Sequence, residues 1–324
     1  MRFLVGTLTR EGGCGILHCN LEGNRIKQDH CVFLTDPNYL ITVGNRVYSV
    51  SSDATGEFKG CVNELTADRN MMLLARSETL GNAPCHLCSS PDQRHLYCAN
   101  YGTGSLSVFS IESGLDVCIQ CVVHEGCGPH PVRQTGPHIH HVSFIPGTNY
   151  LLAVDLGIDS LVVYRANPQT GILTFHSTTH LLGGPRHAAY ASSSLGYICH
   201  ELSNEVTVCT ISDGVFTPIK TLSTVPYPIE KSTAAAIRVG QAHGHLYVSN
   251  RGHGTIAVYD LDVKGMPSSS GYLPAGSFPR DFLVLKDGRF LVADQHTGLH
   301  VISAGGKTLD FFAQKGTVCI CPIG

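Results

Sequence analysis

The chain has 324 residues, 43% of them hydrophobic and only 15% charged, with a formal net charge of −3. A chain of this length buries a core without staples. A near-balanced charge with no Lys/Arg run excludes nucleic-acid binding through phosphate neutralisation, and no apolar run reaches membrane-spanning length.

The opening segment MRFLVGTLTREGG carries one Arg and a four-residue apolar run cut by Gly and Thr, too short for a secretory leader. The expectation is a cytoplasmic protein with neither nucleic-acid nor membrane partners; oligomeric state is not readable. The 14 cysteines then read as reduced thiols. Cys85/Cys88 and Cys118/Cys121 are CxxC pairs, but residues three apart on a strand face opposite sides, which suits buried small hydrophobes better than shared zinc ligation. The 18 histidines draw attention to proton chemistry near neutral pH.

Taken in chain order, strand-like runs recur as FLVGT at Phe3, RVYSV at Arg46, HLYCAN at His95, YLLAVD at Tyr150, YICHEL at Tyr197, HLYVSN at His245 and RFLVAD at Arg289. Steps of 43 to 55 residues fit one four-stranded propeller blade each. A second run, often opened by Pro, precedes six of them: DPNYLITV from Asp36, APCHLCSS from Ala83, GPHIHHVSF from Gly136, GPRHAAYA from Gly184, STAAAIRV from Ser232 and FPRDFLVL from Phe278. A third run often follows, as in SLSVFSI at Ser105 and TIAVYDL at Thr255. Helical periodicity is almost absent, and 120–136 and 222–232 read as long loops inside the repeat. The run at Phe3 lacks its partner, which the C-terminal TVCICPIG supplies. The expectation is an all-β, seven-bladed β-propeller forming a single domain over 1–324, its ring closed by the C-terminal strand pairing into the first blade. The competing architecture is an open β solenoid, which seven units and a spare terminal strand suit less well.

The start of each Pro-led strand and the end of its antiparallel partner belong at one mouth of such a ring. Strand starts contribute His86, His138, His140, Arg186 with His187, and Arg280; strand ends contribute Asn100, Asp155, Glu201, Asn250 with Arg251, and Asp294. Arginine forks recognise carboxylate or phosphate, and a His or Glu within reach serves as acid or base. Blander roles compete. Asn100, Asp155 and Asp294 suit strand-ending turns. Arg186 and Glu201 suit a structural ion pair. His138 and His140, sharing a face as HxH in a strand, suit a metal pair, yet no third ligand follows at a recognisable spacing. Neither a metal nor a cofactor is expected: phosphate loop, GxSxG elbow and Cys–His nucleophile pattern are all missing.

These motifs, six of them in order and in phase, resemble the lactonase family of seven-bladed propellers, which includes bacterial 6-phosphogluconolactonases and fungal carboxy-cis,cis-muconate cyclases. The resemblance spans nearly the whole chain and implies a hydrolase of anionic sugar lactones, 6-phosphogluconolactone first among them. The alternatives are a lactonising muconate cyclase or a propeller that binds a ligand or partner without catalysis. The resemblance implies a catalytic set of His138, Arg186, Glu201 and Arg251; His86, His140, His187 and Arg280, at the strand starts, are expected to bind the substrate. Departures stand at Ala236, where the family often has an acidic residue, at the GQAHG turn from Gly240, and at DQHTGLHV in the last blade.

Overall fold

The computed structural model describes residues 1–52, 60–227, 229–240 and 244–323. It contains seven four-stranded sheets. The first joins β1 (Arg2–Thr7), β2 (Gly15–Glu22) and β3 (Arg25–Val32) to the C-terminal β28 (Thr317–Ile323), in the order β28-β1-β2-β3. The other six are meanders of consecutive strands. The second holds β4 (Leu40–Val43), β5 (Arg46–Ser51), β6 (Cys61–Thr66) and β7 (Leu73–Glu78). The third holds β8 (Pro84–Ser89), β9 (His95–Asn100), β10 (Ser105–Ser110) and β11 (Cys118–Val123). The fourth holds β12 (Ile139–Phe144), β13 (Tyr150–Asp155), β14 (Ser160–Ala166) and β15 (Leu173–His180). The fifth holds β16 (Pro185–Ser192), β17 (Leu195–His200), β18 (Glu205–Ser212) and β19 (Val215–Ser223). The sixth holds β20 (Thr233–Gly240), β21 (His245–Arg251), β22 (Thr255–Leu261) and β23 (Pro267–Pro274). The seventh holds β24 (Pro279–Val284), β25 (Phe290–Asp294), β26 (Gly298–Ile302) and β27 (Thr308–Ala313).

The strands read from the sequence are present, but both expected long loops start later: Leu222 and Ser223 end β19, so the loop there starts at Thr224. Residues 118–123 form β11, the fourth strand of the third sheet, so the long loop starts at His124 rather than at Gln120. The sequence hides this strand because only one edge of it is paired and none of its residues is fully buried. The GQAHG turn lies partly outside the described residues, at 241–243. Among the described residues the one helical element is a 3-10 turn at Thr9–Glu11, and no helix is long and apolar enough to cross a membrane.

Contacts divide the chain into two compact units. One comprises Met1–Phe33, His187–Ile211 and Thr217–Gly324; the other comprises Leu34–Arg186 and Ser212–Phe216. In the first unit, apolar faces of successive sheets pack together. Phe3, Val5 and Leu17 meet Leu291, Val301 and Ile320, while Tyr197, Val206 and Val208 meet Ile237, Val248 and Tyr259. In the second, Tyr97, Leu106 and Val108 pack on Ile139, Val142 and Leu151. Each fully buried Val or Leu side chain in these clusters contributes about 1.5–3 kcal/mol. The expected C-terminal pairing is present: β28 runs antiparallel to β1, with Leu4 opposite Cys321 and Val5 opposite Ile320.

The register sets the location of the site. Within a sheet, the start of the first strand lies opposite the end of the second: Pro84 faces Asn100, Ile139 faces Asp155, Ala234 faces Asn250 and Pro279 faces Asp294. Just inside each of these starts the pairing is broken by a bulge, and β28 has its own bulge opposite Gly6 and Thr7. A bulge twists the strand and redirects the side chains beside it, so the polar residues at these corners are aimed individually rather than by simple alternation.

Candidate active site

In the first unit the central pair is Arg251 with Glu201. Glu201 follows the last residue of β17, and Arg251 is the last residue of β21. An Arg251 guanidinium nitrogen lies 2.7 Å from Glu201 Oε2, with the two side chains 9% and 3% exposed. The same nitrogen reaches the Ala234 carbonyl at 3.4 Å, and the guanidinium lies 5.5 Å from the centre of the Phe278 ring. Phe278 is in turn stacked on His296. A buried charge pair holds only where hydrogen bonds and geometry offset its desolvation; here a carbonyl and an aromatic face supplement the carboxylate.

Arg280, half-buried in β24, donates to Gln295 Oε1 at 3.0 Å. Gln295 Nε2 donates onward to both carboxylate oxygens of Glu11, at 2.9 and 2.8 Å. The amide is therefore oriented by a cation on its oxygen and an anion on its nitrogen. Beneath it, Asp294 accepts the backbone N–H groups of Ser277, Phe278, His296 and Thr297. Burial works to raise the Asp294 pKa, but these four donors outweigh it and hold the carboxyl below the usual range. Gly276, at φ 96°, passes so close that a Cβ would lie 2.3 Å from Asp294 Oδ2, which only glycine tolerates.

In the second unit His138 sits one residue before β12. Its N–H donates to Asp155 Oδ1 at 2.7 Å. Its Nδ1 lies 2.7 Å from the carbonyl oxygen of Tyr101, and its ring stacks on the Tyr101 ring at 4.4 Å and 10°. A carbonyl can only accept, so Nδ1 carries the hydrogen and the neutral imidazole presents Nε2 as its basic nitrogen. Asp155 also accepts from Gly157 N–H and sits 2.7 Å from His124 Nδ1, whose Nε2 is 2.8 Å from the Tyr164 hydroxyl. Arg133 donates to the Tyr101 hydroxyl at 3.2 Å.

The remaining expected residues are buried at strand starts: His86 in β8, His140 in β12, and Arg186 with His187 in β16. Arg186 is 2% exposed. His140 meets the Tyr101 ring edge-on at 5.6 Å, so one tyrosine carries both histidines of the HxH run. The expected alternation is not the reason. His138 lies outside the strand and the bulge between Ile139 and His141 interrupts the pleat. His86 packs instead between Tyr39 and His141. Among the turn residues, Asp155 and Asp294 bind their own turn's backbone as expected, whereas Asn100 donates to the hydroxyls of Ser105 and Ser107. Ala236 is fully buried among Tyr247, Phe282 and Val292, and its N–H donates to Ser249 Oγ at 3.0 Å.

Tyr101 and Gln295 escaped the sequence reading, yet a signal existed. Each directly follows the strand-ending Asn100 or Asp294, the place that Arg251 holds after Asn250. Glu11 and Phe278 carry no such mark.

Seven blade-like sheets with charged side chains buried at strand corners define the class: a β-propeller with a polar, enzyme-like site. The sequence matches the family described as "Lactonase, 7-bladed beta-propeller" over residues 2–304, and the chain belongs to that family of lactone hydrolases. It is 33% identical over 319 residues to a 6-phosphogluconolactonase of Bacillus subtilis, covering 91% of this chain and 88% of that one. Among solved structures it resembles a periplasmic gluconolactonase of Pseudomonas aeruginosa, with a TM-score of 0.91, 26% identity and 98% of each chain covered. A Lactobacillus plantarum protein superposes with a TM-score of 0.89 and 27% identity, again over 98% of each chain.

Proposed function

We propose that the chain hydrolyses an anionic sugar lactone, with 6-phosphogluconolactone as the first substrate to test. The observation that carries this reading is the buried Arg251–Glu201 pair, in a chain one-third identical to a 6-phosphogluconolactonase. In this reading catalysis is assigned to His138, Arg186, Glu201 and Arg251, and substrate binding to His86, His140, His187 and Arg280. A chain with fourteen cysteines is assigned here to a reducing, cytoplasmic setting.

Two groups compete for the role of base. The Glu201 carboxylate is already engaged by the Arg251 guanidinium at 2.7 Å, whereas the His138 tautomer set by Tyr101 offers Nε2. His138 is therefore assigned the water proton, and Glu201 the orientation of Arg251. The water oxygen bonds to the lactone carbonyl carbon, and the carbonyl oxygen becomes an oxyanion facing an arginine. The ring C–O bond then breaks. The proton held on His138 passes to the departing ring oxygen, and the new carboxylic acid ionises into solvent.

That final proton is the readout. Purified protein mixed with 6-phosphogluconolactone in weak buffer is expected to release acid faster than the spontaneous hydrolysis. A rate equal to the blank, both with this lactone and with unphosphorylated gluconolactone, overturns the assignment.

A further inference from the structure

We propose that Cys14 and Cys31 form a dithiol site that small-molecule disulfides convert to an intramolecular disulfide, fastening the loop that carries Glu11 to the outer strand β3.

Cys14 ends the loop between β1 and β2; Cys31 lies near the end of β3, opposite Leu17. Their sulfurs are 2.8 Å apart, and Cys31 Sγ also lies 3.1 Å from the Cys14 carbonyl oxygen. A disulfide bond measures about 2.05 Å, so closure asks for a shift of less than an ångström along a contact already made. Both residues are partly exposed, which admits a small reagent. The loop end is otherwise well fixed. The N–H groups of Cys14 and Gly15 each donate to Thr7 Oγ1 at 3.0 Å, and Gly13 N–H donates to the Leu8 carbonyl. Three residues upstream, Glu11 holds the Gln295 amide.

The two thiols are unequal. Burial, and then the hydrogen bond to Cys14, push the Cys31 thiol up to about 12, so Cys31 keeps its proton at neutral pH and directs it at Cys14. Cys14 is the entry nucleophile, since its sulfur is the one that accepts the Cys31 hydrogen bond. Its sulfur attacks one sulfur of the small disulfide, and the other half leaves as a thiol. Cys31 then displaces the attached half as a second thiol, which takes the Cys31 proton. Two protein thiols and one disulfide become one protein disulfide and two small thiols.

The test is a time course of the folded full chain with oxidised glutathione, followed by alkylation, non-reducing tryptic digestion and mass spectrometry. The exposed Cys127 serves as reference thiol. The expected product joins the peptide Glu11–Arg25 to the peptide Gln28–Arg46, with fragmentation placing the bond at Cys14 rather than Cys19. It accumulates at least tenfold faster than glutathionylated Cys127 and disappears with dithiothreitol. Cys31→Ser is expected to trap glutathione on Cys14, and Cys14→Ser to leave Cys31 reduced. The proposal is overturned if Cys127 becomes modified while Cys14 and Cys31 are recovered as free thiols, or if each is recovered with its own glutathione. The wild-type map decides this even where a variant fails to fold.

Discussion

Arg251 and Glu201 neutralise each other at 2.7 Å in a setting that excludes nearly all solvent. They come from the ends of strands in two successive sheets, and the pair is completed by the Ala234 carbonyl and the Phe278 ring. Under the proposed function the same two side chains serve stability and chemistry, and experiments on either one alone mix the two effects.

Glu201→Gln leaves a buried guanidinium against a neutral amide. Breaking a buried pair costs about 3–5 kcal/mol, so a clear fall in melting temperature is expected together with a loss of roughly 10²-fold or more in turnover. The double variant Glu201→Gln/Arg251→Met separates the effects. Stability is expected to recover substantially while turnover stays near background. Recovery of both in thermal melts and lactone assays would make the pair purely structural.

His138→Asn places an amide nitrogen near the position of Nδ1 and deletes Nε2. The donor to the Tyr101 carbonyl is retained and the proposed base is lost. A melting temperature within a few degrees of wild type is expected, with kcat reduced by about 10²–10⁴-fold, the usual contribution of a positioned acid–base group. Unchanged kcat would shift the base to another residue.

Asp294 gives the pH dependence a sign. Its folded pKa lies below the ordinary value of 3.8. Its contribution is therefore fully present above the unfolded pKa and is lost as pH falls through the folded one. Asp294→Asn is expected to cost about 2 kcal/mol or more at pH 7, since charge-assisted hydrogen bonds to backbone are replaced by weaker ones. The gap from wild type should narrow as pH drops below about 4. Urea titrations at pH 7 and pH 3.5 that show the same gap would contradict this account.

The fold was legible because its signal is periodic. Seven apolar runs at blade spacing, each preceded by a partner, leave few architectures, and the missing partner of Phe3 pointed to the C-terminus. The fourth strands were harder, since β7 and β11 are paired along one edge and their exposed positions hold Leu73, Leu74, Ile119 and Val123 beside polar residues. For the site, sequence marked the corners but not their wiring. Charge at Arg251 and Glu201 is conspicuous in an apolar run; that these two would pair depends on the approach of successive sheets. Tyr101 was missed because an aromatic residue after a strand looks like packing, although its carbonyl fixes the His138 tautomer.

The last prediction concerns the closing strand. In β28, Val318, Cys319, Ile320 and Cys321 are each at most 5% exposed, and Ile320 packs with Phe3, Val5, Leu291 and Val301. The strand also ties two sheets together: Ile320 N–H donates to Asp281 Oδ2 at 3.0 Å, and the Thr317 hydroxyl donates to the Asp294 carbonyl at 2.5 Å. Ending the chain at Lys315 removes this burial, at about 1.5–3 kcal/mol for each of Val318 and Ile320. It also leaves the inner edge of β1 without its hydrogen-bond partner, an invitation to intermolecular pairing. Against a total stability of roughly 5–15 kcal/mol, that loss is expected to send the truncated chain into the insoluble fraction. The milder Ile320→Ala keeps the strand and removes only side-chain packing. It should remain soluble and lose about 2–5 kcal/mol in chemical denaturation. A truncated chain that stays monomeric by size-exclusion chromatography and melts cooperatively within a few degrees of wild type would show that β28 does not hold the first sheet.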